Sequence, residues 1–479
     1  MADYHAVGSR QHCYTELSVM IAGYSEYSGQ LVSHLLERKV GHWDGSCREL
    51  TARALGRLVS CQLDLARTSL LPTLLDRAVS PDLHTSHGAV LAAGEVVAGL
   101  AAVAAGLGTG LAGLLGTHNT DKVAGLLDRL VEKHKLRGLG GEIMRQAAAD
   151  YVKNVSLSGL TLQPSTVAAW LAVLEESLAS PEVAVQQAAV TALPAFLDQN
   201  WAPGGQLDTA GRDRLLAVWQ ERLQAGDIPR RGFSAALGAL PGSLLRGREE
   251  ELLLALIRAA RITEGTEKWA EARREAVRAV GAVTAAARSW LAPNLLPHVM
   301  DCFLLAFEDY TVDRRGDTGA WVREAAMAGV EVVAAAGPIP ASLVAQVMPC
   351  LAQQATEKIA RTRGQAGRVF HALLWSGQPG IPAAETLRQI FPREADINWT
   401  VEAETFPLWV RLLELPDYLE RVLLGLVVST GGLTERLVRS ASQALFAQLR
   451  SSTPSTLNNF TTALLAVFKQ YQKVDRYEE

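Results

Sequence analysis

A chain of 479 residues exceeds what one compact core normally supports, and with 48% apolar and 20% charged residues it is too apolar to remain disordered. A net charge of −4 with no cluster of Lys and Arg excludes the basic surface that phosphate neutralisation requires, so nucleic acid is not an expected partner. Cys13, Cys47, Cys61, Cys302 and Cys350 are odd in number and far apart, with no C-x-x-C pair, which suits buried thiols in a reducing cytosol better than disulfides or a zinc site.

The N-terminal stretch MADYHAVGSRQHC has neither a charged region leading into an apolar core nor an Arg-rich amphipathic pattern, so no export or organelle signal is read and cytoplasm is the default. From Cys47 a twelve-residue pattern begins: apolar, Arg, any, small, small, any, any, small, apolar, any, any, apolar. It appears as CRELTARALGRL and returns from Met144, Val185, Pro229, Ala272 and Val322, with a weaker copy from Ser86 and a degenerate one from Thr362. Successive starts are 39, 58, 41, 44, 43, 50 and 40 residues apart, the period of stacked helix pairs. Positions 1, 4, 5, 8, 9 and 12 make one apolar stripe on a 3.6-period helix, and its Ala content lets neighbouring helices approach closely. Apolar stretches between copies, from Trp170 and from Leu252, supply the first helix of each pair. The expected fold is all-α, a HEAT/armadillo-like helical-repeat solenoid of stacked antiparallel helix pairs, with repeats over 1–290 and a C-terminal helical domain over 291–479.

Helix starts are read at Ser46, which with Glu49 has the order of a capping box, and at Ser180, followed by Pro181 and Glu182. The second position of the pattern is Arg48, Arg145, Arg230, Arg273 and Arg323, with His87 and Gln186 in the other copies. A recurring cation suits a binding ladder, but the plainer reading is that each Arg bonds a neighbouring repeat's carboxylate or a helix end.

Val96 to Gly116 is 21 residues without a charge, long enough to cross a bilayer, but it is rich in Gly and Ala. Its formal G-x-G-x-x-G, Gly108 to Gly113, follows a helical pattern rather than a strand, so no dinucleotide site is expected. The segment is read as the end of one buried helix followed by a flexible loop, without stable membrane insertion. Catalytic signatures such as H-E-x-x-H, G-x-x-x-x-G-K-[ST] and G-x-S-x-G are missing, and no cofactor or metal is expected. The sharpest polar cluster runs from Glu308 to Trp321. Asp309, Asp313 and Asp317 lack EF-hand spacing, Arg314 or Arg315 has the chemistry of an arginine finger, and the plain reading is a solvated loop whose Asp317 or Thr318 caps the next helix. Leu423 to Val428 is too short to span a membrane and reads as a buried helix ending at Gly431-Gly432, and LVRSASQALFAQL from Leu437 as an imperfect copy of the repeat.

Several segments go beyond repeat consensus: HWDGSCRELTARAL from His42, SPDLHTSHGAVLA from Ser80, RGLGGEIMRQA from Arg137, GFSAALGALPGSLLRGR from Gly232, EDYTVDRRGDTGAWVREAAM from Glu308 and LLGLVVSTGGLTE from Leu423. In collinear order they resemble the C-terminal half of the tubulin-folding cofactor D family, whose members are more than twice as long, so the chain looks like a partial chain, short isoform or incomplete gene model. The glycine-rich stretch after Val96 departs from that family. The resemblance implies a non-enzymatic chaperone that binds β-tubulin and, with cofactors E and C and an Arf-like small GTPase, assembles or takes apart the αβ-tubulin heterodimer. It also implies promotion of tubulin GTP hydrolysis within that complex, and location in cytoplasm, at the centrosome and microtubule cytoskeleton and at lateral cell junctions. Partner-binding residues are expected at Trp43 and Asp44 in one loop and at Asp313, Arg314, Arg315, Asp317 and Trp321 in another. The alternative is a generic helical-repeat scaffold or adaptor that ignores tubulin; a GTPase activator acting alone is the enzyme-class rival. An apolar face is expected on the first helix, around Tyr14 to Ala22.

Overall fold

The computed structural model describes residues 7–201, 209–432 and 434–471; Met1 to Ala6 of the N-terminal stretch and Leu433 of the motif from Leu423 lie outside them. Among the described residues the elements are helices apart from one β-hairpin, β1 (Val312–Asp313) antiparallel to β2 (Gly316–Asp317). The eight copies of the twelve-residue pattern all lie on helices: α1 (Gly45–Leu58), α2 (Leu83–Gly106), α3 (Gly141–Leu157), α4 (Val183–Trp201), α5 (Asp227–Gly238), α6 (Ala270–Ala287), α7 (Gly319–Ala336) and α8 (Ala360–Trp375). The chain divides into two compact units, residues 1–222 with 239–244, and residues 223–238 with 245–479.

Each unit is a stack. In the first, α1 packs on α2, α2 on α3 and α3 on α4; in the second, α5 packs on α6, α6 on α7 and α7 on α8. The first helices of the pairs pack on these, Pro164–Leu178 on α4, Glu249–Ala260 on α6, Leu295–Phe307 on α7 and Ala341–Gln354 on α8. The stripe is buried as its spacing requires: Val322, Ala325, Ala326, Gly329, Val330 and Val333 of α7 are all buried. Small residues allow this closeness, since a Cβ on Gly281 of α6 would sit 3.0 Å from the Cα of Gly329 on α7.

Three local expectations change. The N-cap of α1 is Asp44, whose Oδ1 accepts the Ser46 N–H at 3.0 Å, so Ser46 is capped rather than capping; Asp is as good a cap and stands one residue before the helix. At α4 the Glu182 carbonyl accepts the first helical bond, from Gln186, while Ser180 Oγ accepts the Glu182 N–H at 3.3 Å and Pro181 stays outside. The run from Val96 to Gly116 closes α2 at Gly106 and turns over Leu107 to Gly110, but then enters another helix, Leu111–Ala124, broken at Gly116 with φ 73°. Only glycine adopts that angle cheaply. Leu83–Gly106 is the one described helix long and apolar enough to cross a bilayer, yet it lies packed between α1 and α3. Of the apolar face expected around Tyr14 to Ala22, Met20 and Ile21 are exposed; Tyr24 and Tyr27, which follow it, are exposed as well.

The second position of the repeat holds the stack together. Arg48 gives Nη1 to the carbonyls of His42 and Trp43 and Nε to Nδ1 of His87, the second position of the next copy. Arg273 gives Nη1 to the carbonyls of Thr266 and Glu267 and makes a fork with Asp309, with Nε to Oδ2 at 2.8 Å and Nη2 to Oδ1 at 3.3 Å. Arg323 takes the Asp309 carbonyl and the Asp317 carboxylate on one side and Glu357 on the other. Arg363, in the degenerate copy, takes the carbonyls of Glu357 and Lys358 and the carboxylate of Glu402. Arg145 bonds the Leu136 carbonyl and Glu176, Arg230 the Leu223 carbonyl, and Gln186 the Leu178 carbonyl. In Arg48, Arg145, Arg273, Arg323 and Arg363 one arm satisfies carbonyls of the loop entering the helix, and another reaches forward to the next repeat.

Burial sets the energetic rank. Arg273 and Asp309 are 0% and 2% exposed, so removing one leaves the other uncompensated, at a cost of about 3–5 kcal/mol. The Arg145–Glu176 pair, 19% and 49% exposed, is partly screened by solvent and contributes about 1 kcal/mol. Arg273→Leu should therefore lower unfolding free energy several times more than Arg145→Ala, read by urea titration followed by circular dichroism; equal losses would refute the ranking. His87 accepts from Arg48 in its neutral form, and burial, with Arg48 and His84 adding repulsion, pushes its pKa down to about 4. Its ordinary value is near 6.5, so the unfolded chain takes up the proton first as pH falls. Stability relative to His87→Gln should be constant above about pH 6.5 and decline by roughly 3 kcal/mol down to about pH 4.

Candidate functional site

In the first unit, the loop before α1 fixes its backbone and frees one side chain. Arg48 holds the carbonyls of His42 and Trp43, and His42 Nδ1 accepts the Asp44 N–H at 3.1 Å. The Trp43 side chain nevertheless stands 75% exposed, with the His42 ring 5.5 Å away. An exposed indole on an immobilised loop loses little entropy on contact, the property of interface anchors. Asp44 is occupied as the cap of α1 and lies 3.5 Å from Arg10, so its contribution is to shape the loop.

In the second unit, the segment from Glu308 to Trp321 is a hairpin rooted in a buried polar network, where a solvated loop was expected. Asp309 receives Arg273 and the Thr311 N–H and hydroxyl. Tyr310 donates its hydroxyl to Glu357 and accepts from Gln353 and Gln354, while its ring lies under the Arg323 guanidinium at 4.2 Å. Burial pushes the Glu357 carboxyl above the ordinary carboxylate range, against the opposing effect of Arg323 and Tyr310. Burial, reinforced by the Glu357 charge, also pushes the Tyr310 hydroxyl well up. Asp317 caps α7 through the Ala320 N–H at 3.0 Å and makes a fork with Arg323.

The tip of the hairpin is where the expected residues meet. Asp313 accepts the backbone N–H of Arg315 at 2.7 Å and pairs with its guanidinium, which holds the Asp313 carboxyl below its ordinary range. Arg315 also pairs with Glu271 at 2.8 Å and lies 4.9 Å above the Trp321 ring. Arg314 is exposed and forms no ion pair among the described residues. Of the two finger candidates, then, Arg315 is committed internally and Arg314 alone is presented outward. Asp309, Asp313 and Asp317 each face a different arginine, so they do not converge on a cation, and no group of metal ligands occurs among the described residues.

Trp43 and Asp44 belong to the first unit and Asp313 to Trp321 to the second. Arg363, Asp309 and Glu357 did not stand out as a set in the sequence. The available signal is an acid 31 to 39 residues after the repeat Arg: Glu176 after Arg145, Asp309 after Arg273, Glu357 after Arg323 and Glu402 after Arg363.

Residues 345–478 match the family model described as tubulin folding cofactor D C terminal. Those residues are similar to the C-terminal region of the cofactor D family. A curated relative, the tubulin-specific chaperone D of Dictyostelium discoideum, is 28% identical in an alignment of 180 residues that covers 32% of this chain and 12% of that protein. The chain therefore matches only a small part of that relative's length. Arg363, Glu402 and Arg421 lie within the cofactor D segment, whereas Trp43 and the hairpin lie before it.

Asp317 and Asp313 sit four residues apart with opposite duties. Asp317→Ala removes a cap and a buried partner of Arg323 and should cost about 3 kcal/mol or more. Asp313→Ala frees a solvent-screened pair and should leave the melting temperature nearly unchanged. Thermal melts of the two variants check this; similar shifts would contradict the assignment.

Proposed function

We propose that this chain is a non-enzymatic binding protein of tubulin folding. The observation that carries the reading is the cofactor D match over residues 345–478, whose described residues continue the helical pairs of the second unit. Repeat arrays recognise folded proteins through surfaces assembled from successive units, without needing a catalytic centre. On this reading β-tubulin, alone or within the αβ-tubulin heterodimer, is the client, and cofactors E and C with an Arf-like small GTPase are the associates. Trp43 is the aromatic anchor of one contact and Arg314 the free cation of another. Any stimulation of tubulin GTP hydrolysis belongs to the assembled complex, and the place of work is the cytoplasm, extending to the centrosome, microtubules and lateral cell junctions.

Co-purification of the chain with β-tubulin, α-tubulin and the small GTPase, each tested separately, checks the proposal. Retention of β-tubulin is expected, weakened about tenfold or more by Trp43→Ala with an unchanged melting curve. Retention of none of the three would reduce the chain to its fold.

A further inference from the structure

Within the second unit, a groove of about 960 Å³ opens between the helices Leu295–Phe307, Ala341–Gln354, Pro416–Thr430 and Pro454–Tyr471. Its charges are unevenly answered. Arg421 is engaged by Glu308 and by Gln353 Oε1 at 3.0 Å, which neutralises that pair. Asp301, Glu414, Asp417 and Glu420 are exposed along the same groove and form no ion pair among the described residues; Glu414 accepts only the amide of Gln448, at 2.7 Å. Arg261 is the one other cation of the lining.

Part of the lining is apolar. Leu305 is 58% exposed and Leu304 half-buried on a helix whose Val299, Met300 and Phe303 are buried. The wall formed by Pro454–Tyr471 is small, with Thr462, Ala463 and Ala466. An apolar patch, a small-residue wall and an acidic rim together match the two faces of a basic amphipathic helix. A helix is about 10–12 Å across with its side chains, and a groove between helices is the kind of surface on which an amphipathic helix lays its apolar face. Four unpaired carboxylates against one free guanidinium make the fit selective for Lys and Arg, because an acidic partner would meet uncompensated like charge.

We infer that this groove is a docking site for a basic amphipathic helix of a partner protein, with apolar side chains over Leu305 and cations against Asp417, Glu414 and Glu420. The site stands independently of the tubulin reading.

Two fluorescein-labelled peptides, about four turns long and of identical amphipathic order, one of Leu and Lys and one of Leu and Glu, test it by anisotropy on the full chain. The Leu/Lys peptide should bind saturably and the Leu/Glu peptide at least tenfold more weakly. Glu414→Lys with Asp417→Lys and Glu420→Lys should weaken the Leu/Lys peptide at least tenfold. The same charge change placed elsewhere, Glu26→Lys with Asp121→Lys and Asp128→Lys, should leave it within twofold, and Leu305→Ser should weaken it several-fold. Should the triple reversal not fold by circular dichroism, the isosteric Glu414→Gln, Asp417→Asn and Glu420→Gln, expected to weaken binding about twofold or more each, replace it. Equal binding of the two peptides, or loss of affinity no greater in the groove than in the distant control, would overturn the inference. So would concentration-dependent dimerisation abolished by the groove reversal, which would give the groove to a second copy.

Discussion

A guanidinium at the second position of most core helices, buried at Arg48, Arg230, Arg273, Arg323 and Arg363, is the interaction on which the stack depends. Arginine carries five donors in a rigid fork and cannot shed its charge, so it is costly to bury unless its donors are met. Arg273 shows how the repeat meets that demand: two carbonyls of its own entry loop on one side, and the Asp309 carboxylate and the Thr311 hydroxyl on the other. The entry loop needs partners for carbonyls that no strand or helix uses, and the next repeat needs a cation for its acid. One side chain answers both, which ties the position of each helix to that of its successor.

That arrangement also settles which parts of the loops are available to a partner. Arg48 immobilises the backbone of His42 and Trp43 and leaves the indole outside. At the hairpin, Asp309 and Asp317 are drawn inward by Arg273 and Arg323, and Asp313 is closed off by Arg315, so that Arg314 is left at the tip. The outward chemistry of the loops is therefore a remainder: the residues that the clamps do not use. In the groove before the terminal helices the balance is different, because acids there outnumber the cations that could answer them.

The helical repeat was legible because its signal is local and redundant. Six stripe positions recur in every good copy, and no other periodicity competes. The C-terminal resemblance was legible for a related reason, since segments such as the one from Leu423 exceed what packing alone demands, and residues 345–478 match the cofactor D model. Less legible were the helix starts, where Asp44 and Glu182 displaced Ser46 and Ser180, because several residues near a helix entry have capping chemistry and only backbone geometry selects among them. The helix from Leu111 to Ala124 was hidden by glycines that are poor helix formers in isolation.

The sequence by itself determined the architecture: a small-residue stripe at 3.6 spacing must bury itself against another of its kind, and a period near forty residues leaves room for two helices per unit. It also determined that Arg at the second position is structural in kind, since a cation recurring beside a buried stripe needs a partner within reach. Only the tertiary structure decided which acid answers which arginine, because Asp309, Glu357 and Glu402 lie more than thirty residues from their partners and chain separation says nothing of distance after stacking. The same holds for the groove. Asp301, Glu414 and Glu420 come to line one groove through the packing of helices far apart in sequence, and that packing rather than composition leaves their charges unanswered.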